Sequence, residues 1–173
     1  MDNSNKIIEF TLVYNKHKQA VYNYVLKMIG NKMQCEDIVQ NVFLKLFENL
    51  DNIKNKSSVN FWIFSTARNE VYGLYRAKKV RVDQFGVADT EDIELESERN
   101  LVENYEMKEL KELIMKELDS LPEDQKDVYL LKEYGGFSYK EIAGISGVSE
   151  DLVKSRLFKT RQKLIKRISK KVA

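Results

Sequence analysis

Two stretches of this chain carry residue types whose combination suits nucleic acid. Between residues 150 and 171 there are nine Lys or Arg against two acids. Both acids, Glu150 and Asp151, fall in the first turn, where a carboxylate meets the positive end of a helix dipole. A helix charged in this way can enter a major groove. The second stretch begins with Phe61, Trp62, Ile63 and Phe64 and continues through Arg68, Asn69, Tyr72, Tyr75, Arg76, Lys78, Lys79 and Arg81. Rings interleaved with cations offer unpaired bases a face to stack on and give their phosphates a counter-charge. Catalytic chemistry has no such support. His17 is the single histidine and has no acid and nucleophile spaced to work with it. Cys35, the single cysteine, reads as a small hydrophobe near a helix start. There is no phosphate-cradling glycine loop, zinc spacing or nucleophile elbow. The expectation is a protein that is not an enzyme, with no catalytic residue, metal site or cofactor.

The elements that must position these residues are helical. One Pro and seven Gly in 173 residues leave little turn punctuation, and the apolar periodicities are long. Ser138-Tyr139-Lys140-Glu141 is a capping box that opens a short helix, and Gly147 closes it in a left-handed turn. A second helix starts at Ser149. Ile142, Ala143, Val148, Val153 and Leu157 are the small or apolar positions at which two crossed helices meet. This is a helix–turn–helix signature; the plainer alternative is a solvated basic helix ending an ordinary bundle. Phasing the second helix buries Leu152, Val153, Leu157, Thr160 and Leu164 and turns Asp151, Lys154, Ser155, Phe158, Lys159 and Gln162 outward. The earlier outward residues would reach base edges and the later cations phosphates. Arg156 sits at the edge of the buried stripe, where it can bond backbone or phosphate, or read a base.

Upstream, a first helix is expected over residues 6–29, packed through Ile7, Phe10, Leu12, Val13, Val21, Tyr24, Val25 and Met28, with Gly30-Asn31 ending it. A second runs from about Cys35 to Leu50. A third runs from Ser57 or Ser58, either of which can cap it, to about Lys79. On the second, Val39, Val42, Phe43, Leu46 and Leu50 form the core stripe, and Asp37, Asn41, Leu44 and Glu48 lie opposite with Gln40 at the edge. The exposed Leu44 is either an ordinary surface leucine or a docking contact. Residues 82–98 hold seven Asp or Glu and no Lys or Arg, a linker by composition. A helix from about Asn100 to Asp119 follows. Pro122, at a first helical position, then opens another through about Tyr134, which Gly135-Gly136 stops. The fold class is all-α, two small helical domains joined by an acidic flexible linker, with bounds 1–81, 82–99 and 100–173. The N-terminus has no apolar signal core, and no run approaches the roughly 20 apolar residues of a membrane span. A cytoplasmic protein without membrane insertion is expected, with no added regulatory domain after the last helix.

With these motifs in order, the chain resembles a bacterial RNA polymerase sigma factor of the sigma-70 family, in the small extracytoplasmic-function group that keeps only the second and fourth sigma regions. Glu36-Asp37-Ile38-Val39-Gln40-Asn41-Val42-Phe43 resembles the family's acidic-Asp-x-x-Gln-x-x-Phe signature. Trp62 followed by Ala67-Arg68-Asn69, and Leu121-Pro122 leading to Val153-Lys154-Ser155-Arg156-Leu157, are similar to its later motifs. The resemblance implies an alternative sigma that directs core RNA polymerase to promoters. It implies that Asp37, Gln40, Asn41 and Leu44 bind the β′ clamp helices, with the β flap as a further polymerase contact. It implies that Arg68, Asn69, Tyr72, Arg76, Lys78 and Lys79 recognise and melt the minus-10 element as single-stranded DNA. It assigns Ser149, Asp151, Lys154, Ser155, Arg156, Phe158 and Lys159 to the minus-35 element as duplex. An anti-sigma protein is implied as partner, and the acidic linker is expected to mimic nucleic acid near the RNA exit path. Gly73, Asp151-Leu152 and Lys159-Thr160 depart from the family pattern. Asp151 can accept a bond from a cytosine amine or repel phosphate.

Two other readings compete. A conventional helix–turn–helix regulator would bind operator DNA without polymerase and would not need the aromatic and basic run at 61–81. A helical adaptor without a nucleic-acid partner would leave the basic helix unexplained.

Overall fold

In the computed structural model, residues 2–86 and 105–172 are described, and every regular element among them is helical. The α-helices are α1 (Asn3–Ile29), α2 (Lys32–Asn49), α3 (Val59–Phe85), α4 (Tyr105–Asp119), α5 (Glu123–Glu133), α6 (Tyr139–Ser146) and α7 (Glu150–Val172). Single 3-10 turns at Leu50–Asn52 and Lys56–Ser58 join α2 to α3. α1–α3 form one compact unit and α4–α7 a second.

In the first unit, α1 stops where Gly30 takes a left-handed conformation, φ 69°, and donates its N–H to the Leu26 carbonyl. Asn31 then starts α2, its side chain accepting from the Gln34 amide at 2.9 Å. Val21, Tyr24, Val25 and Met28 of α1 are buried with Val42, Phe43 and Leu46 of α2 and Ile63, Phe64, Ala67 and Val71 of α3. Their spacing gives each helix one apolar stripe, and each large side chain contributes roughly 1.5–3 kcal/mol by leaving water. The Tyr75 hydroxyl donates to the Met28 carbonyl at 2.6 Å, tying α3 to the end of α1. Cys35 is wholly buried, as its reading required, with its thiol 3.5 Å from the Tyr22 carbonyl.

Several expectations are corrected here. Ile7 and Leu12 are exposed: Leu12 lies nearly opposite Phe10, which faces Phe43 and Phe47, whereas Ile7 lies on the packing side but far before the buried part of α1, which begins at Val21. Neither serine caps α3 with its side chain; Asn55 accepts from the Ser57 amide instead, capping the preceding 3-10 turn. α3 continues through Phe85 to a left-handed Gly86, so the first residues assigned to the linker, 82–85, are helical. Val82 and Gln84 are as helix-compatible as what precedes them, and charge composition did not mark the boundary. Residues 87–99 of the linker, and 100–104 of the helix expected after it, lie outside the described residues.

The second unit follows its capping residues closely. Pro122 is the N-cap of α5 rather than its first helical residue. Gly136, φ 66°, ends the turn after α5. Gly135 is needed for space, since a Cβ there would lie 2.4 Å from the Phe137 ring and 2.6 Å from the Leu131 carbonyl. Both capping-box bonds of α6 form: the Ser138 amide donates to Glu141 at 2.7 Å and the Glu141 amide to Ser138 Oγ at 3.2 Å. Gly147, φ 68°, ends α6, and Ser149 Oγ accepts from the Leu152 amide at 3.2 Å to start α7. Val153, Leu157, Thr160 and Leu164 of α7 are buried with Leu118, Val128, Leu131 and Ile142. Leu152 is 39% exposed, correcting its place on the buried line: it lies a third of a turn from Val153 and beyond the reach of the core.

Candidate nucleic-acid and partner surfaces

α7 keeps its two faces apart. Thr160, fully buried, donates its hydroxyl to the Arg156 carbonyl at 2.8 Å, which satisfies a polar group that would otherwise be costly on the core side. At about 100° per residue, Asp151, Ser155, Phe158 and Gln162 run along the line opposite the buried one. Asp151 and Gln162 are exposed, Ser155 is half-buried, and Phe158 is 65% exposed. Cations flank this centre line, Lys154 and Arg161 on one side and Lys159 and Lys166 on the other, all exposed. A groove floor with phosphate walls would present the same order across its width.

Arg156 resolves differently from its neighbours. Its Nε lies 3.3 Å from an Asp124 carboxylate oxygen, so the first turn of α5 holds the guanidinium at the edge of α7. Ser149 is engaged as the cap, and Lys154 lies 3.7 Å from Glu150, one turn earlier. The far end of α7 is clasped by Glu117 of α4, which pairs with Lys171 and, at 3.6 Å, with Arg167. The Lys171 ammonium hydrogen-bonded to it, with Arg167 nearby, holds the Glu117 carboxyl below the usual carboxylate range. Gln162, already phased outward, belongs to this surface, and so do Arg161 and Lys166, which lie outside the expected residues; the helical period continued past Lys159 would have found those two.

On α3 the aromatic and basic run divides into three roles. Ile63 and Phe64 are core, and Phe61 and Trp62 are half-buried. Tyr75 is the anchor to α1. The Arg68 guanidinium lies over the Tyr72 ring, 4.2 Å from its centroid, and Tyr75 meets Tyr72 edge-on at 5.5 Å. Arg68 and Tyr72 are half-buried, Asn69 exposed. Arg76 and Lys79 are exposed and Lys78 half-buried. The six expected residues therefore divide into the stack of Arg68 on Tyr72, the exposed Asn69, and a basic stretch of Arg76, Lys78 and Lys79 before the last turns of α3.

The third surface is the outer side of α2. Asp37, Gln40 and Leu44 are exposed, Leu44 by 58%, and Asn41 is half-buried. Three of the four line two clefts, and Asn41 lines neither. Gln40 and Leu44 join Phe10, Tyr14, Phe43 and Phe47 around a cleft of about 400 Å³ between α1 and α2. Asp37 joins Asn69, Glu70 and Gly73 in another of about 470 Å³ between α2 and α3. The aromatic wall was missed in the sequence, although Phe10 and Tyr14, like Phe43 and Phe47, are four residues apart. Those rings meet at 4.9 to 6.5 Å across α1 and α2.

Among the described residues no helix is long and apolar enough to cross a membrane, and no cluster of His, Cys, Asp or Glu could hold a metal. Comparison with known proteins matches residues 13–81 to the Sigma-70 region 2 family and residues 111–164 to Sigma-70, region 4. The chain is 28% identical to the ECF RNA polymerase sigma factor EcfG of Rhodopseudomonas palustris over 82% of its own length and 75% of that protein's. It is 26% identical to the ECF RNA polymerase sigma-E factor of Escherichia coli, over 88% and 83%. Among solved structures, the fold is similar to the sigma factor RpoE of Bartonella quintana, in complex with the anti-sigma factor NepR. There the TM-score is 0.77 at 23% identity, over 93% of this chain and 97% of that one. The matched regions coincide with the two helical units and with the surfaces on α2, α3 and α7, and the chain belongs to the sigma-70 family, within its extracytoplasmic-function group of alternative RNA polymerase sigma factors.

Proposed function

We propose that the three surfaces divide the work of promoter-directed initiation. The exposed ridge of α2, Asp37, Gln40, Asn41 and Leu44, docks on the β′ clamp helices of core RNA polymerase, and the second unit docks on the β flap. α7 enters the major groove of the minus-35 element, with Lys154, Arg161, Lys159 and Lys166 on the phosphates and the centre line on the bases. Arg68, Asn69, Tyr72, Arg76, Lys78 and Lys79 of α3 take up the minus-10 element as its strands part. Stacking there uses the guanidinium and ring planes that α3 already holds together. No step of this role makes or breaks a covalent bond on the protein. A chain with a formal net charge of only +2 should bind DNA weakly alone and gain affinity when polymerase holds it beside the promoter.

The observation that carries this reading is the separation of faces on α7, a buried apolar line opposite a centre line flanked by cations. A solvated basic helix would have no reason to order its charges this way. The similar fold solved with the anti-sigma factor NepR supports an anti-sigma protein as a further partner of this chain, which would work where polymerase and chromosome meet, in the cytoplasm. The acidic segment 87–98 is assigned the role of nucleic-acid mimic on charge alone.

The division of labour is tested by paired substitutions in a holoenzyme assembly assay. Asp37→Lys or Gln40→Ala should weaken co-elution with core polymerase. Lys154→Ala should leave assembly intact and lower affinity for upstream duplex DNA in the assembled holoenzyme. Loss of assembly in Lys154→Ala would contradict it.

A further inference from the structure

We propose that Asp151 reads a cytosine in the upstream duplex element by accepting a hydrogen bond from its exocyclic amine. The inference rests on the assignment of α7 to the major groove and goes beyond it by naming a base and the atom that recognises it. A carboxylate on a surface meant for DNA is anomalous, because nearly every group it could meet there is a phosphate. Asp151 is exposed. Of the structural roles open to an acid at this point, capping and ion pairing are filled by other residues, and the carboxylate of the first turn is a role Asp151 shares with Glu150. Ser149 caps the helix by accepting from the Leu152 amide. Glu150 supplies a carboxylate to the first turn and is the partner of Lys154 at 3.7 Å. The side chain of Asp151 makes no ion pair or hydrogen bond among the described residues.

Position then decides between repelling phosphate and reading a base. Asp151 lies opposite the buried line of Val153, Leu157, Thr160 and Leu164, on the centre line with Ser155, Phe158 and Gln162. The phosphate-facing flanks belong to the cations on either side. The first turn of a recognition helix is also the part that reaches base edges. In the major groove guanine presents N7 and O6, thymine presents O4, and adenine places N7 beside its amine. Each of these sets an acceptor against the carboxylate. Cytosine alone shows a donor without an adjacent acceptor of its own, so an unpartnered carboxylate at the groove floor selects it.

The test uses holoenzyme assembled from core polymerase and the full chain, on a promoter library randomised across the upstream duplex element, with the transcripts sequenced. The native chain should require cytosine at one position. Asp151→Ala should level the preference there by about tenfold and leave the other positions as they were. Asp151→Asn should move it to adenine at the same position, because an amide can bond N6 and N7 together. A native chain that is selective upstream, with a profile unchanged at every position in both variants, would overturn the proposal. So would a uniform gain on all templates in Asp151→Ala, which would make the carboxylate only a phosphate repellent. A native holoenzyme without any upstream preference would instead remove the groove assignment itself.

Discussion

α3 and α7 both carry cations and rings toward solvent, but they hold them in opposite ways. On α7 the polar surface and the apolar line are half a turn apart, and ion pairs hold the helix through Arg156 to Asp124 of α5 and through Arg167 to Glu117 of α4. On α3 the rings serve each other first: Tyr75 anchors to α1 and meets Tyr72, and Arg68 lies on Tyr72. Duplex DNA asks for a helix that fits a groove of fixed width, and in the proposed role the separated faces of α7 would meet that demand. Unpaired bases ask for planes at stacking distance, and in the proposed role the internal stack of α3 would supply those. Under the proposed function, the difference teaches that a similar composition can serve two states of DNA when side chains are supported from different directions.

The comparison can be broken most severely at Leu157, which is 1% exposed at the centre of the buried line of α7. Leu157→Ala should cost about 2–5 kcal/mol of stability by urea unfolding, through lost burial and the cavity left behind. Hydrogen exchange should rise in α7 and α5 together. A loss confined to α7 would mean that its two faces are not built on a common core.

The stack on α3 should yield less. Tyr72→Ala removes the plane on which Arg68 rests, and binding of the holoenzyme to single-stranded minus-10 DNA should weaken by about 1–3 kcal/mol. Affinity for duplex upstream DNA should not change. An equal loss on both ligands would erase the proposed distinction between the two helices.

Cys35 sharpens the comparison at the smallest scale, since it reports how tightly α1 and α2 close behind α3. Burial, with Glu36 nearby, pushes its thiol up from 9.0 to about 12. Between those values the native state keeps a proton that the unfolded chain has released. Stability should therefore fall as pH rises above about 9, and the thiol should resist alkylation at pH 8 until the protein unfolds. Cys35→Ala should flatten that limb of the pH profile. Rapid native-state alkylation would show that α1 and α2 are looser than their packing implies.

How much of this was legible in the sequence follows the same division. The second unit is written in local chemistry: Ser138, Glu141, Gly147 and Ser149 act within a few residues of their own positions, so their types and spacing sufficed. The core of the first unit was legible from period, but its surface was not. Ile7 and Leu12 are apolar on a helix, and whether such residues are covered depends on α2 and α3, many residues away. Leu152 failed for a related reason, lying close enough to the buried line for periodicity to include it but too far round for the core to reach. The end of α3 was obscured because a linker was inferred from acids that only become dense beyond it. Among the candidate site residues, type marked the candidates and distance assigned their roles. Arg156 could be placed only when Asp124 was seen beside it, and Tyr75 only when its hydroxyl met the Met28 carbonyl.

The central claim is that this chain directs RNA polymerase to promoters by reading duplex DNA with one helix and opened DNA with another. Run-off transcription with purified core RNA polymerase on a pool of genomic promoter fragments, with and without the chain, tests it most directly. The account predicts transcripts that appear only with the chain, from a subset of fragments sharing an upstream and a downstream element at a fixed spacing. No chain-dependent transcripts, together with retention of duplex fragments in the absence of polymerase, would contradict it and leave an operator-binding regulator in its place.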